Sequence, residues 1–332
     1  MKAHPKYDEY WEEKRAAVEN INIPAYVVAS WANILHSMGT FEAWSRLQTK
    51  DRWLRIHNSL EWPDYYSPEG REDLCRFFDR YLRDVDNDWE STPRVRLTVM
   101  DFIGADIKNR AEAAYPLARA KQRVCYLDAA SQSMVDDKPS SRSTVAYDAE
   151  SGETTFRIKV DAESEITGYC NLKLFVEIEG HDDADIFAKL VTLGEDGEVL
   201  GRVLLPREIP ENDEVWDEIV TEARGESKSL YFYDGPWGRK RVSHRADADS
   251  PDEPAYFPSQ KVNDGEIVEI SIRFNPTAMK IRPGQVLQLT LSGVDLTPQA
   301  VEYDEPPKTV NRGRHVIHTG GDCTSQLILP IV

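Results

Sequence analysis

Two textures in the sequence predict an α/β unit followed by an all-β unit. Before residue 90, short and nearly continuous apolar runs alternate with helical stripes, as in a parallel sheet covered on both faces. Beyond D-V-D-N-D-W-E-S-T-P a two-residue alternation takes over, as in antiparallel strands with one face on a core. Six of the eight tryptophans fall in the first 89 residues, where a dense α/β core needs them. These observations place a boundary near residue 92, giving units 1–92 and 93–332.

The first unit is justified element by element. From residue 7, Y-D-E-Y-W-E-E-K-R-A-A-V reads as a charged amphipathic helix. I-P-A-Y-V-V-A-S-W, introduced by Pro24, reads as a strand buried on both faces. G-T-F-E-A-W-S-R-L puts Phe41, Trp44 and Leu47 on one side of a helix. W-L-R-I-H is a second short buried strand, followed by the polar turn P-D-Y-Y-S-P-E. S-P-E-G-R-E-D-L-C-R-F-F-D-R-Y-L is a helix with Ser67 as N-cap, Pro68 at its first position, and an apolar stripe of Leu74, Phe77, Phe78 and Leu82.

In the second unit Leu172, Leu174, Val176 and Ile178 share one strand face. So do Val268, Ile270, Ile272 and Phe274, and likewise Leu287, Leu289 and Leu291 after the turn R-P-G. L-V-T-L-G-E-D-G-E-V-L-G-R-V predicts a hairpin closed around Asp196-Gly197. Many short strands between Gly, Pro and Asp turns imply an antiparallel sandwich or jelly roll. Two polar insertions, 129–150 and 206–262, read as surface loops.

Composition excludes several function classes. A formal net charge of −18 repels nucleic acid and anionic membrane, because phosphate binding needs clustered Lys and Arg. The one basic cluster, R-K-R at 239–241, is followed by D-A-D-S-P-D-E and reads as solvated loop charge. No apolar window of about 18 residues is present to span a membrane, and the N-terminus has no apolar signal-peptide core. Cys75, Cys125, Cys170 and Cys323 are far apart and form no C-x-x-C, so they read as reduced structural thiols of a cytoplasmic protein. No G-x-G-x-x-G, Walker loop or H-E-x-x-H occurs, and no cofactor is expected. No metal site is expected either. D-V-D-N-D-W has Trp89 where an EF-hand needs Gly, and E-G-H-D-D-A-D at 179–185 is an acidic turn with at most loose affinity for calcium. His315 and His318, three apart on a strand, face opposite ways.

The candidate chemistry centres on His57, in W-L-R-I-H-N-S-L-E-W. A histidine where a buried strand meets a loop is either a hydrogen-bonded packing residue or a proton shuttle. A shuttle serving a serine needs a nucleophile elbow, G-x-S-x-G, and none occurs. L-H-S-M-G at 35–39 keeps only Ser37 and the second glycine. W-A-N-I-L separates it from the strand, so Ser37 reads as a helix-initiating residue.

Together these segments resemble the C-terminal portion of the CocE/NonD family, serine α/β hydrolases that include cocaine-esterase-like and X-Pro dipeptidyl-peptidase-like enzymes. The resemblance rests on I-P-A-Y-V-V-A-S-W-A-N-I-L-H-S-M-G-T-F-E-A-W, K-D-R-W-L-R-I-H, Y-Y-S-P-E and R-F-F-D-R-Y-L-R-D-V-D-N-D-W-E-S-T-P-R-V-R-L. In the second unit it rests on F-N-P-T-A-M-K-I-R-P-G-Q-V-L-Q-L-T-L-S-G-V-D and S-Q-L-I-L-P-I-V, which are similar to the X-Pro dipeptidyl-peptidase C-terminal domain. The fold it implies is the C-terminal part of an α/β-hydrolase sheet followed by a galactose-binding-like jelly roll.

The resemblance also implies site residues. His57 matches the triad histidine, the general base, and Asn33 stands where the family has its triad aspartate. An asparagine orients an imidazole but does not stabilise its cation, and the corresponding change in the serine-protease template lowers kcat by about 10⁴. Asp51 or Asp64 is left as a substitute. In the family the serine, the oxyanion hole and the cap precede the part seen here, so Ser-His-Asp chemistry on an ester or peptide substrate is expected to be incomplete on this chain. Two sheet strands, 24–31 and 53–57, leave an open edge, which implies an N-terminal hydrolase half as partner, or self-association. The alternative is a non-catalytic β-sandwich module that binds carbohydrate or protein, with Y-F-Y-D-G-P-W-G at 231–238 as the stacking aromatics.

Overall fold

In the computed structural model the described residues are 4, 7–33, 35–204, 232–247, 257–296 and 308–332. They are mostly sheet, with the α-helices confined to the first 92 residues. Two helices of ten and sixteen residues stand where the pattern of the first unit expects them, and two of six residues accompany them.

The small sheet has four strands where the sequence suggests two. Strands β1 (Ala25–Ser30), β2 (Arg52–His57) and β3 (Val95–Val99) run parallel, and β4 (Ile107–Glu112) closes the order β1-β2-β3-β4 antiparallel to β3. The extra two lie beyond residue 92. V-R-L-T-V reads equally well as the first strand of the β-rich unit, and only its pairing with β2 assigns it to this sheet. On the open side of β1 no strand pairs among the described residues.

Four helices accompany these strands. Helix α1 covers only Glu9–Lys14, shorter than its charged pattern suggests, with Asp8 as N-cap. Helix α2 (Ser37–Arg46) packs on one face of the sheet, where Phe41 and Trp44 meet Leu54, Ile56, Val95 and Leu97. Helix α3 (Glu61–Tyr66) occupies what reads as a polar turn. Helix α4 (Pro68–Arg83) covers the opposite face, where Phe77 joins Trp53 and Trp89. Ser67 caps α4, its Oγ accepting from the Gly70 amide at 2.9 Å.

The apolar stripe expected on α4 is not its inner face. The buried residues are Gly70, Asp73 and Phe77, whereas Phe78 is 49% and Leu82 75% exposed. A polar network rotates the helix. Asp73 accepts from both outer nitrogens of Arg96, at 3.1 and 2.7 Å, and from the Tyr26 hydroxyl at 2.5 Å. Arg55 Nε donates to the same hydroxyl at 3.0 Å. A carboxylate with cationic partners waiting on the sheet is held in more firmly than an exposed leucine is driven in.

The second unit is an antiparallel network of 14 strands among the described residues, parallel only where Ser133 meets Arg157. Its centre is the strand Asn171–Glu179, flanked by Ile267–Arg273 on one side and by Arg314–Thr319 and Gln326–Ile331 on the other. The alternating residues expected inside are inside: Leu172, Leu174, Val176, Ile178, Leu287, Leu289 and Leu291 have no exposure. The hairpin at Asp196-Gly197 forms, with Gly197 at φ +84°.

The insertions are more ordered than loops. Residues 129–150 contain strands Ser133–Val135 and Ser143–Asp148. In 206–262, the parts 205–231 and 248–256 lie outside the described residues, but Phe232–Tyr233 and Trp237–Arg241 are strands. R-K-R therefore lies on a strand and not in a loop, and of its three side chains Arg239 alone is largely exposed. Arg241 makes two bonds of 2.9 and 2.8 Å to Asp185, and the half-hidden ammonium of Lys240 donates to the Asp247 carbonyl at 2.8 Å.

The two units are joined through backbone and core. Met100, just past β3, donates to the Ala278 carbonyl at 2.9 Å and accepts from the Lys280 amide at 2.8 Å. One hydrophobic cluster runs from Trp31, Phe41 and Trp44 to Tyr115, Tyr233 and Ala278. Tyr233 thus packs between the units, its hydroxyl donating to Thr277 at 2.8 Å, and is not free to stack on a ligand. Of the aromatic stretch, Tyr231 lies outside the described residues.

Candidate active site

His57 ends β2, and the geometry around it follows from strand alternation. Trp53, Arg55 and His57 point to the α4 side, while Leu54 and Ile56 point to α2. An arginine within an otherwise apolar run, on the same face as the histidine, means a buried cation that needs partners. Arg55 finds them in Asp64, which it grips with both outer nitrogens, one bond being 2.9 Å and the other shorter. Asp64 belongs to α3, which lies close to α4 because residue 70 is glycine. A Cβ there would run into the Asp64 carbonyl oxygen.

The imidazole is buried, with 7% exposure. Its Nδ1 accepts from the Ser59 amide at 3.3 Å and lies 3.1 Å from Ser59 Oγ. Its Nε2 lies 3.7 Å from Asp64 Oδ2. Burial pushes its pKa down to about 4; Asp64 opposes this and Arg55 adds to it. The ring borders a cleft of about 330 Å³ that Ser59, Asp64, Asp106, Lys108 and Arg202 also line. Asp106 accepts from the Asp101 amide and Arg202, and Asn58 donates to it.

The other candidates fall elsewhere. Asn33 Oδ1 accepts from the amides of Leu35 and His36, both at 2.8 Å, so it forms a turn leading into α2 and makes no hydrogen bond to His57. Ser37 begins α2, and its hydroxyl, 4% exposed as a residue, donates to the Ser30 carbonyl. Asp51 pairs with Arg94 at 3.4 Å on the surface, leaving Asp64 as the carboxylate beside His57.

The acidic turn at 179–185 is built for internal bonds. Asp183 accepts from the Ser243 amide and hydroxyl at 2.9 and 2.8 Å, and Asp185 is held by Arg241. Among the described residues no group of His, Cys, Asp or Glu has a metal-holding arrangement. The four cysteines are free, three of them buried. His315 is buried edge-on against Tyr147, and His318 Nε2 meets Glu177 at 2.8 Å on the other face.

Arg55, Ser59, Asp106 and Arg202 escaped the sequence reading. Arg55 and Ser59 had a signal in R-I-H-N-S, since a charged residue two positions before a buried histidine shares its face. Asp106 and Arg202 had none, because they reach the cleft only through tertiary folding.

A histidine closing a parallel strand above a cleft is the layout of open α/β sheets, whose sites lie at the carboxyl ends of the strands. Residues 87–328 match the X-Pro dipeptidyl-peptidase C-terminal non-catalytic domain, and the chain belongs to that family. It is a CocE/NonD-like C-terminal portion. A CocE/NonD family hydrolase from Staphylococcus aureus is similar over 100% of this chain and 58% of its own, at 30% identity and a TM-score of 0.85. An aminopeptidase from a marine-sediment Thaumarchaeota archaeon (15% identity, TM-score 0.66) and an alpha-amino acid ester hydrolase (14%, 0.64) each match 99% of this chain and 59% of theirs. These two likenesses show the fold alone. The chain thus spans less than two thirds of each of these structures. A comparison with curated proteins found no match. Among the described residues no helix is long and apolar enough to cross a membrane.

Proposed function

We propose that this chain is the histidine-bearing part of a CocE/NonD-type serine hydrolase acting on ester or amide acyl bonds, with His57 as the general base. In this reading residues 1–92 are the C-terminal part of the hydrolase sheet and 93–332 a galactose-binding-like jelly roll, with β3 and β4 the stretch by which the second joins the first. The nucleophilic serine and its oxyanion donors stand on a sheet half that pairs with the open edge of β1.

The observation that carries this is the position of His57, buried at the carboxyl end of β2 and bordering a cleft, one strand in from that open edge. The exposed apolar surface supports it. Eleven of the fifteen large hydrophobic residues exposed among those described fall between Ile21 and Ile107, in the part of the chain that carries this sheet.

A chimera tests it: the part of the Staphylococcus aureus hydrolase that this chain does not cover, placed ahead of residue 1. The folded chimera should hydrolyse p-nitrophenyl esters and lose that activity in His57→Ala. A fluorophosphonate should label its elbow serine and leave Ser37 untouched. A folded but inactive chimera, or activity indifferent to His57, refutes the proposal.

A second reading is a non-catalytic module that binds carbohydrate or protein. It is favoured by Asn33, whose carbonyl is spent on backbone amides, and by the low basicity of His57. Under it the chimera would fold and remain inert.

A further inference from the structure

We propose that Arg202, a residue of the second unit, positions the His57 imidazole through Asp106 and Asn58, so that the β-rich unit braces the candidate base. The catalytic meaning of this brace rests on the reading of His57 as a base. Its geometry does not.

His57 closes β2, and the corner that follows, residues 57–59, has to be fixed by contacts from outside the strand. On the β1 side the Trp31 amide donates to the His57 carbonyl at 3.0 Å, and the Ser30 hydroxyl donates to the Ser59 carbonyl at 2.6 Å. On the other side Asn58 holds the corner, its Nδ2 donating to Asp106 Oδ2 at 2.5 Å. Asp106 stands just ahead of β4, with its side chain 8% exposed. A carboxylate so nearly out of water needs donors. Its second oxygen accepts from the Asp101 amide at 2.9 Å and from Arg202 Nη2 at 2.5 Å.

Arg202 reaches this point from the second unit. It lies on the short strand Arg202–Val203, paired with Phe232–Tyr233, and Tyr233 packs in the core that joins the units. The same Nη2 also donates to the Asp101 carbonyl at 2.7 Å, so one nitrogen fixes both ends of the loop from 101 to 106. That loop presents Asp106, Asp106 holds Asn58, and Asn58 is joined by the backbone to His57. Arg282 offers a contrast. It ties the same two units together by gripping the Asp101 carboxylate, one step further from Asn58. Arg202, Asp106 and Asn58 are positioning residues. Without them the corner is held from the β1 side alone and opens more often.

The test is modification of the full chain with diethyl pyrocarbonate at neutral pH, which acylates accessible neutral imidazoles. The rate at His57 is read by mass spectrometry against His36, which is exposed, in the same digest. In the wild type His57 should react far more slowly than His36. Arg202→Met should raise the His57 rate about tenfold, as loss of one charge-assisted hydrogen bond from the closed corner would. Arg202→Lys keeps a donor opposite Asp106 and should restore most of the protection. Because Arg202→Met leaves Asp106 without its cation and risks unfolding, Asn58→Ala, which removes no charge, tests the last link separately and should also speed the reaction. Arg282→Met loosens the joint between the units without touching the path to Asn58, and should leave the rate where it is. His315, which has no exposure, should stay unmodified in every folded variant. A wild-type rate at His57 in folded Arg202→Met or in Asn58→Ala would overturn the proposal. So would an Arg202→Lys no better protected than Arg202→Met, or an Arg282→Met that exposes His57 as strongly. No turnover enters these readings: an inert chimera refutes the catalytic reading and leaves the brace, whereas unchanged His57 rates refute the brace and leave the reading.

Discussion

The pH dependence of stability should expose the two buried histidines one at a time. Burial lowers the pKa of His315, like that of His57, from 6.5 to about 4. A group whose folded pKa is depressed binds protons more readily in the unfolded chain. Stability is therefore complete above pH 6.5 and is lost as pH falls from there toward 4. Between pH 8 and pH 5 the unfolded histidine gains its proton and the folded one does not, a cost of about 1.5 pH units or roughly 2 kcal/mol per histidine. The perturbation is His315→Gln, which keeps polarity and similar bulk but cannot titrate. Urea unfolding followed by tryptophan fluorescence at pH 8 and pH 5 should show the wild type losing about 2 kcal/mol more than the variant. The carboxylates that also titrate are common to both proteins and cancel. His57→Gln should remove a similar amount, and the two should add, since one ends a strand of the small sheet and the other lies on a strand of the large one. Equal losses in wild type and His315→Gln would refute the reasoning, because they would mean that His315 protonates as easily folded as unfolded.

Other consequences follow from packing and caps. Trp53→Ala, which empties a site with no exposure between β2 and α4, should cost about 3–5 kcal/mol in the same assay. Gly70→Ala should cost about 1–3 kcal/mol by pushing α3 from α4, and should disturb the His57 NMR signals because α3 carries Asp64. Ser67→Ala should cost about 1 kcal/mol through loss of the α4 cap. Millimolar calcium should leave the melting temperature unchanged, since Asp183 and Asp185 already have partners; a rise of several degrees would show a cation seated in the 179–185 turn.

Much of the fold was legible because it follows from periodicity. Leu172 to Ile178 and Leu287 to Leu291 lie inside as alternation requires, and Ser67-Pro68 starts α4 as a cap and a first-turn proline should. The failures share one cause. On α4 the leucine and phenylalanine stripe suggested one inner face, but Asp73 has partners on β1 and β3 that no local pattern reveals, and it turned the helix. Strand β3 was invisible as a member of the parallel sheet because pairing partners are a matter of topology. At the site, His57 was readable from its place at a strand end. Asp64 was readable only as one of two possible carboxylates, since choosing it over Asp51 needs the path of α3, and that path depends on Gly70.

The buried Asp73 has a wider consequence for how the molecule meets its surroundings. Rolling α4 by one residue, about 100°, would bring Leu74 and Phe78 toward the sheet but would swing Asp73 away from Arg96 and Tyr26. Arg96 would be left without its carboxylate in a dry interior. The helix therefore works like a key with a single tooth. It seats in one orientation, and hiding its greasy side is not an available rearrangement. Phe78 and Leu82 stay on display however sticky they make the protein, and a chain purified by itself has no inward refuge for them.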